Sequence, residues 1–389
     1  MPLRRAIPPG QTVSTGFVVA VVGFFSSFPI VLQGLAAMGA TEVQAASGLA
    51  AAAFSMGLAG IALSLWKGQP ISVAWSTPGV AVLAVMATPA GGFSEAVGAF
   101  LIAGILTLVA GLVRPIGRLA AAIPPPLAQA MLAGVLVALC TAPFLALAEV
   151  PETALPIILT WFIVGRFSGI FAVPAAVVAA FLLTLWTNDF TLTPPDQILS
   201  RLTITAPSFT ASAVFGIALP LFIVTMATQN IPGIAVLRSF GYTPPPGQML
   251  TGVGAASVAS APFGAPATCL AAITAAMCAG EDSHPDRTLR YWSAVMAGVF
   301  YCVLGLFAAV ITVVAAAAPP MTLETLAGIA LLGVFANSAQ AALDKPEYRE
   351  AAAVTFLVTA SGITIIGLSA AVWGLVLGGV VQLAKMLKR

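Results

Sequence analysis

Charge is confined to the joints of this chain. Along its 389 residues, fourteen apolar stretches follow one another, at about 12–37, 44–66, 71–88, 93–113, 118–146, 153–165, 168–187, 210–232, 247–260, 264–279, 289–317, 321–342, 350–365 and 368–386. All thirteen acidic residues fall between these stretches or at their ends. A bilayer tolerates only segments that satisfy their own backbone groups, which for apolar runs of this kind means helices. The chain is 60% hydrophobic and 7% charged, whereas a soluble domain carries roughly 25% charged residues. The expected fold class is an all-α polytopic membrane protein with 14 transmembrane segments. The third, sixth, ninth, tenth and thirteenth stretches fall short of the roughly 20 residues that a spanning helix needs. They are expected to be half-helices, packed segments or helices extended by polar turns.

The cations orient this count. With both termini in the cytoplasm, the inner connections carry Arg4, Arg5, Lys67, Arg114, Arg118, Arg166, Arg238, Arg287, Arg290, Lys345, Arg349, Lys385, Lys388 and Arg389, and only Arg201 lies outside. This is the bias of the positive-inside rule, and one missed span would scramble it. Dividing the chain near residue 200 gives seven spans in 1–200 and seven in 201–389. An odd number inverts the second half, so related halves form a 7+7 inverted repeat. Ser27-Phe28-Pro29 followed by Gly39 resembles Asn230-Ile231-Pro232 followed by Gly241, in matching places.

Two of the short stretches open on helix-breaking residues: Trp75-Ser76-Thr77-Pro78-Gly79 in the third and Pro262-Phe263-Gly264-Ala265-Pro266 in the tenth. Irregular backbone at membrane depth must line a cavity or be buried in protein, and such paired interruptions point to a substrate site. A helix starting there exposes unpaired N–H groups and the positive end of its dipole. The starts are expected near Thr77–Gly79 and Gly264–Thr268, where two facing tips favour an anion. Ordinary proline kinks are the competing reading of each break.

Other polar groups join them. The eighth span carries Thr225, Thr228, Gln229 and Asn230, the first Ser26, Ser27 and Gln33, and the twelfth Asn337, Ser338 and Gln340. Buried amides and hydroxyls either tie helices together or touch substrate; the Thr228-Gln229-Asn230 group is assigned to substrate. Trp75 and Phe263 could flank a flat apolar ligand, with Phe24, Phe25 and Phe28 extending that wall. A mostly apolar pocket with a few placed polar groups suits an aromatic anion.

Other chemistry is not expected. The chain has no Gly-Lys-Ser/Thr phosphate cradle, so it is not read as ATP-driven. No secretory leader is expected, because the first stretch is too long and lacks a cleavage site. Cys140, Cys269, Cys278 and Cys302 sit in apolar runs as small hydrophobes, and the lone His284 belongs to a charged loop. No metal site, catalytic centre, cofactor or nucleic-acid partner is expected. No carboxylate sits at mid-membrane, so a coupling proton would ride on the substrate's own carboxylate or on an acid near a span end. Gly374 and Gly378 form a small-xxx-small motif, open to a homodimer contact or to packing within the chain.

The chain resembles the benzoate:proton symporter family of bacterial inner-membrane transporters over essentially its full length. The match rests on Ser27-Phe28-Pro29, on Gly68-Gln69-Pro70-Ile71-Ser72-Val73-Ala74-Trp75-Ser76-Thr77-Pro78-Gly79, on Ala227-Thr228-Gln229-Asn230-Ile231-Pro232-Gly233 and on Pro262-Phe263-Gly264-Ala265-Pro266. The resemblance implies a core domain from 12–113 and 210–317 that moves against a gate from 118–187 and 321–386. It also implies short extended strands in the third and tenth spans that meet at the substrate. The related nucleobase permeases commonly place a glutamate in the eighth span, where this chain has Thr228-Gln229-Asn230.

The resulting expectation is proton-coupled import of benzoate or a similar aromatic carboxylate across the bacterial inner membrane. The expected substrate contacts are Trp75, Ser76, Thr77, Gly79, Thr228, Gln229, Asn230, Phe263, Gly264 and Thr268, with Ser27, Phe28, Gln33 and Asn337 as further candidates. A nucleobase or inorganic-anion transporter of the same architecture, and a passive anion channel, are the alternatives.

Overall fold

A computed structural model describes residues 7–113, 124–187, 198–365 and 369–387. Arg4, Arg5, Arg114, Arg118, Asp189, Pro194-Pro195, Asp196, Lys388 and Arg389 lie outside the described residues. In chain order the elements are α1 (Gly10–Phe25), α2 (Phe28–Ala37), α3 (Glu42–Lys67), β1 (Val73–Trp75), α4 (Thr77–Ala84), α5 (Gly92–Leu112), α6 (Pro125–Glu149), α7 (Pro151–Phe167) and α8 (Gly169–Thr187). They continue with α9 (Ala211–Ser239), α10 (Pro246–Ser260), β2 (Thr268–Leu270), α11 (Ala272–Ala279), α12 (Tyr291–Leu306), α13 (Ala308–Ala316), α14 (Thr322–Leu343), α15 (Arg349–Ala360) and α16 (Ala370–Leu387).

Every apolar stretch contains a helix, but not every helix has spanning length. Among the described residues, eight helices are long and apolar enough to cross a membrane, with α1 and α2 taken together as Gly10–Ala37, or nine if α12 and α13, bent by 55° at their junction, count as one. The short ones are α4, α7, α10, α11 and α15. They fall in the third, sixth, ninth, tenth and thirteenth stretches.

A polar cap or a glycine explains where several of the helices start or stop. At α3, Thr41 accepts from the Gln44 N–H while the Gln44 side chain accepts from the Thr41 N–H, a reciprocal cap. Helices α2 and α9 end alike. Gly39 and Gly241 have φ of +86° and +78°, a region that costs glycine nothing. In each case the following N–H reaches back over the turn, Ala40 to Leu35 O and Tyr242 to Leu237 O.

The largest apolar cluster joins α1, α2, α3, α5, α9, α10 and α12. A second one lies where Ile30, Ala81, Val82 and Val224 meet Met131–Cys140 of α6 and Ala327 and Leu331 of α14. The glycine motif in α16 is used inside the chain. Gly374 lies against Thr355 and Thr359 of α15, and Gly378 against Ala351 and Thr355, with no room for a side chain at either position.

Candidate functional site

The site begins with two strands of three residues each. β1 and β2 pair antiparallel, with Val73 opposite Leu270, Ala74 opposite Cys269 and Trp75 opposite Thr268. The ladder runs one step further at both ends, through Ser76 N–H to Ala267 O (2.8 Å) and Ala271 N–H to Ser72 O (3.1 Å). After each strand comes a single non-helical residue, Ser76 or Ala271, and then a helix of eight residues. Ser76–Gly79 therefore corresponds to Ala271–Thr274. The two caps lie four residues apart along the ladder, about 13 Å at strand rise.

This register corrects the second break. Pro262 sits in a 3₁₀ turn, Ala261–Phe263, that closes α10, and Gly264 (φ +87°) terminates it. Pro266 lies in the irregular stretch 265–267 that leads into β2, and the helix starts at Ala272 rather than near Gly264–Thr268. The backbone at Phe263–Gly264 packs elsewhere. Phe263 O accepts from Ser47 Oγ (2.9 Å), and Gly264 lies against Gly48 and the Phe93 ring. Phe263 lines a groove with Ala51, Phe54, Leu58 and Leu202. Thr268 is buried in β2, its hydroxyl 2.6 Å from Ser55 Oγ and its N–H on Ser257 Oγ (2.9 Å).

The two helix tips differ in their open donors. At α4, Ser76 Oγ accepts the Gly79 N–H (3.2 Å) and Ser76 O accepts the Val80 N–H, while Pro78 has none. Among the described residues, only the Thr77 N–H is left without an acceptor. At α11, Ala271 offers no side-chain cap, and the N–H groups of Ala272, Ile273 and Thr274 have no acceptor among the described residues. The Ile273 side chain is 71% exposed. At the far end of α11, buried Arg290 donates to Ala279 O (2.7 Å) and His284 O (2.7 Å), and Ser293 Oγ donates to Cys278 O (3.1 Å).

Around the strands, the predicted side chains separate into bound and free. Trp75 is only 2% exposed; its Nε1 donates to Ser27 Oγ (2.9 Å) and its ring meets Phe24 edge-on at 5.2 Å. Phe25 and Phe28 line an apolar cavity of about 370 Å³ with residues of α8, α13 and α14. Asn230 is fully buried, and its Oδ1 accepts the Leu270 N–H (2.9 Å). Its Nδ2 donates to Met226 Sδ (3.4 Å), so both ends of the carboxamide, expected to meet substrate, are engaged within the protein. Thr228 is half-buried and donates to Val224 O (2.7 Å). Gln229 and Thr77 are half-buried, and their side chains make no hydrogen bond among the described residues. Gln33 keeps a buried Nε2 without a partner on α2, and Asn337 is exposed on α14. Ala272 and Ile273 carry no polar side chain, so sequence reasoning passed over them. Only the ladder register reveals their position.

Among the described acidic residues Glu95 is the buried one, at the first turn of α5. Its carboxylate accepts from the Gly91 N–H (2.7 Å), from Ser212 Oγ (3.2 Å) and from Thr210 Oγ1. It fastens the start of α5 to the start of α9.

A family model described as benzoate membrane transport protein matches residues 7–384. The chain is 37% identical to the inner membrane protein YdcO of Escherichia coli K12 over 377 residues, covering 96% of this chain and 95% of that one. It is 30% identical to the benzoate membrane transport protein of Acinetobacter baylyi over 363 residues, 93% and 92% of the two chains. Among solved structures it resembles the transmembrane domain of the cyanobacterial bicarbonate transporter BicA, with a TM-score of 0.62, 19% identity and 97% of each chain covered. The murine Slc26a9 anion transporter in its inward-facing state gives a TM-score of 0.64 at 11% identity, covering 99% of this chain and 69% of that one.

Proposed function

Because the chain belongs to the benzoate membrane transport protein family, and so is a multi-pass membrane transporter, we propose that it imports benzoate or a similar aromatic carboxylate together with a proton. The membrane is the bacterial inner membrane, with both termini cytoplasmic. The fourteen apolar stretches form a 7+7 inverted repeat, with the core of 12–113 and 210–317 moving against the gate of 118–187 and 321–386. The repeat is supported by the strand–cap–helix unit that recurs in each half and by the matching ends of α2 and α9. The seam between core and gate runs through the smaller apolar cluster, where α2, α4 and α9 meet α6 and α14.

The observation that carries the substrate reading is the row of three uncommitted amides at Ala272–Thr274. Free N–H groups at the positive end of a helix favour a carboxylate by roughly 0.3–2 kcal/mol before direct hydrogen bonds are counted. The carboxylate sits on these amides and the Gln229 carboxamide completes its shell. The aromatic ring lies along the exposed Ile273 side chain towards Thr77. Glu95 is already used to fasten α5 to α9 through its bonds to Gly91, Thr210 and Ser212. The proton therefore enters on the substrate.

Radiolabelled benzoate uptake into proteoliposomes under an imposed pH gradient tests this reading. Accumulation above protein-free vesicles, abolished by a protonophore, is the expected result, and its absence rejects the proposal. Displacement by excess uracil or sulfate would reassign the substrate, and unsaturable conductance would indicate a channel.

A further inference from the structure

Helix α9 touches both broken segments, and it does so with a five-residue step. Counting along it, Leu221 lies where a side chain on Gly79 would fall, 2.5 Å from Leu221 Cδ1. Thr225, fully buried, donates to Ser76 Oγ (2.7 Å), the same oxygen that caps the Gly79 N–H. Asn230, fully buried, accepts the Leu270 N–H of β2. Gly233 then lets β2 approach, because a Cβ there would stand 2.9 Å from Leu270 Cβ.

The steps are thus four, five and three residues. Steps of three and four keep to one face of an α-helix. A step of five turns about 140° away from that face at 3.6 residues per turn. The helix resolves this by widening: Met226–Asn230 is a π turn, whose i→i+5 bonds bring residues five apart into line. The extra residue places Asn230 under Thr225, so that one helix face grips the cap of α4 and the backbone of β2 together.

We propose that Thr225 and Asn230 are positioning residues, and that the π turn between them sets the relative placement of the two helix tips and hence the affinity for substrate. This rests on the proposed substrate site, but only in its last step. Neither side chain touches the ligand. Thr225 acts through Ser76 on the first turn of α4, and Asn230 acts through Leu270 on the strand that leads into α11.

The test combines benzoate titration calorimetry with peptide-resolved hydrogen exchange on the purified full chain. Variants are Thr225→Val, Thr225→Ser and Asn230→Ala. Losing one such hydrogen bond is expected to raise the benzoate Kd roughly five- to tenfold in Thr225→Val and in Asn230→Ala. Exchange should quicken at residues 77–84 in Thr225→Val and at 268–274 in Asn230→Ala, and nowhere else. Thr225→Ser, which keeps the hydroxyl, should restore both readouts. An unchanged Kd, or exchange that quickens evenly along the chain, overturns the proposal. If Thr225→Val does not purify folded, Thr225→Ala takes its place. If the unmodified protein binds no benzoate, the substrate reading fails by itself. The exchange pattern then decides the positioning role, with local quickening and serine rescue supporting it and their absence overturning it.

Discussion

The two broken segments share a plan and differ in chemistry. Each is a three-residue strand, one cap residue and an eight-residue helix. In the first, Ser76 caps the helix start, Pro78 withholds a donor and Gly79 allows Leu221 to approach. In the second, the start is bare, an alanine cap followed by three open amides, while Arg290 and Ser293 seal the other end. One tip is closed by its own side chain and the other is left with donors to spend. In the proposed function this difference gives α11 the charge and leaves α4 to shape the space.

The largest break in that comparison should come from Arg290. It is 6% exposed, and its guanidinium holds the carbonyls of Ala279 and His284. Among the described residues, no arginine holds the end of α4 in this way. Arg290→Gln is expected to destabilise the protein by on the order of 3 kcal/mol, since it strips charge-assisted hydrogen bonds from buried carbonyls. Thermal unfolding in detergent measures this. Arg290→Lys should rescue little, because one ammonium cannot reproduce the two-pronged geometry. A melting temperature unchanged in Arg290→Gln would mean that the end of α11 needs no seal.

Next in size is the exchange of counterparts in the first helical turn. Gly79→Thr places a Cβ about where Leu221 Cδ1 and Ser76 Oγ already stand, 2.5 and 2.7 Å away. Overpacking of this kind costs roughly 1–3 kcal/mol. The counterpart change, Thr274→Ala, removes the hydrogen bond from Ser72 Oγ (2.8 Å) and one buried methyl group, roughly 1–2 kcal/mol. Thermal shifts of equal size would show that the two turns are packed alike.

The asymmetry also explains what could be read from the residues alone. Hydropathy was enough to find every helix-bearing stretch and the five short ones, because length and polarity are local properties. Pro78 correctly marked the start of α4, since proline suits the first helical turn. The same reasoning failed at Pro262 and Pro266, because those prolines serve the end of α10 and the strand approach instead. The true start, Ala271-Ala272, carries no capping residue, and only the ladder pairing identifies it. Asn230 read as a ligand because it is polar at membrane depth. Its partner is a backbone N–H forty residues away, which no spacing rule supplies. The π turn is hidden for the same reason: a five-residue step has meaning only once both partners are known.

A smaller effect is expected at the capped tip. Ser76→Ala removes the acceptor of the Gly79 N–H and of the Thr225 hydroxyl, both buried. The expected cost is about 1 kcal/mol, the usual value of an N-cap. Uptake at saturating benzoate should fall less than uptake at low benzoate, as expected for a residue that shapes the site.

The smallest effect in stability is the most telling for function. Ala271 has the extended backbone of an N-cap (φ −108°, ψ 124°) but no side-chain oxygen. Ala271→Ser supplies one, within reach of the Ile273 or Thr274 N–H, and should stabilise the ligand-free protein by about 0.5–1 kcal/mol. That added cap competes for the donors assigned to the carboxylate. The melting temperature should therefore rise slightly while benzoate binds more weakly, an opposition that a simple packing change does not produce. Titration calorimetry beside thermal unfolding reads both. A variant that is more stable and binds benzoate as tightly as the parent would show that the anion does not rest on α11, and the proposed division of labour between the two tips would fall.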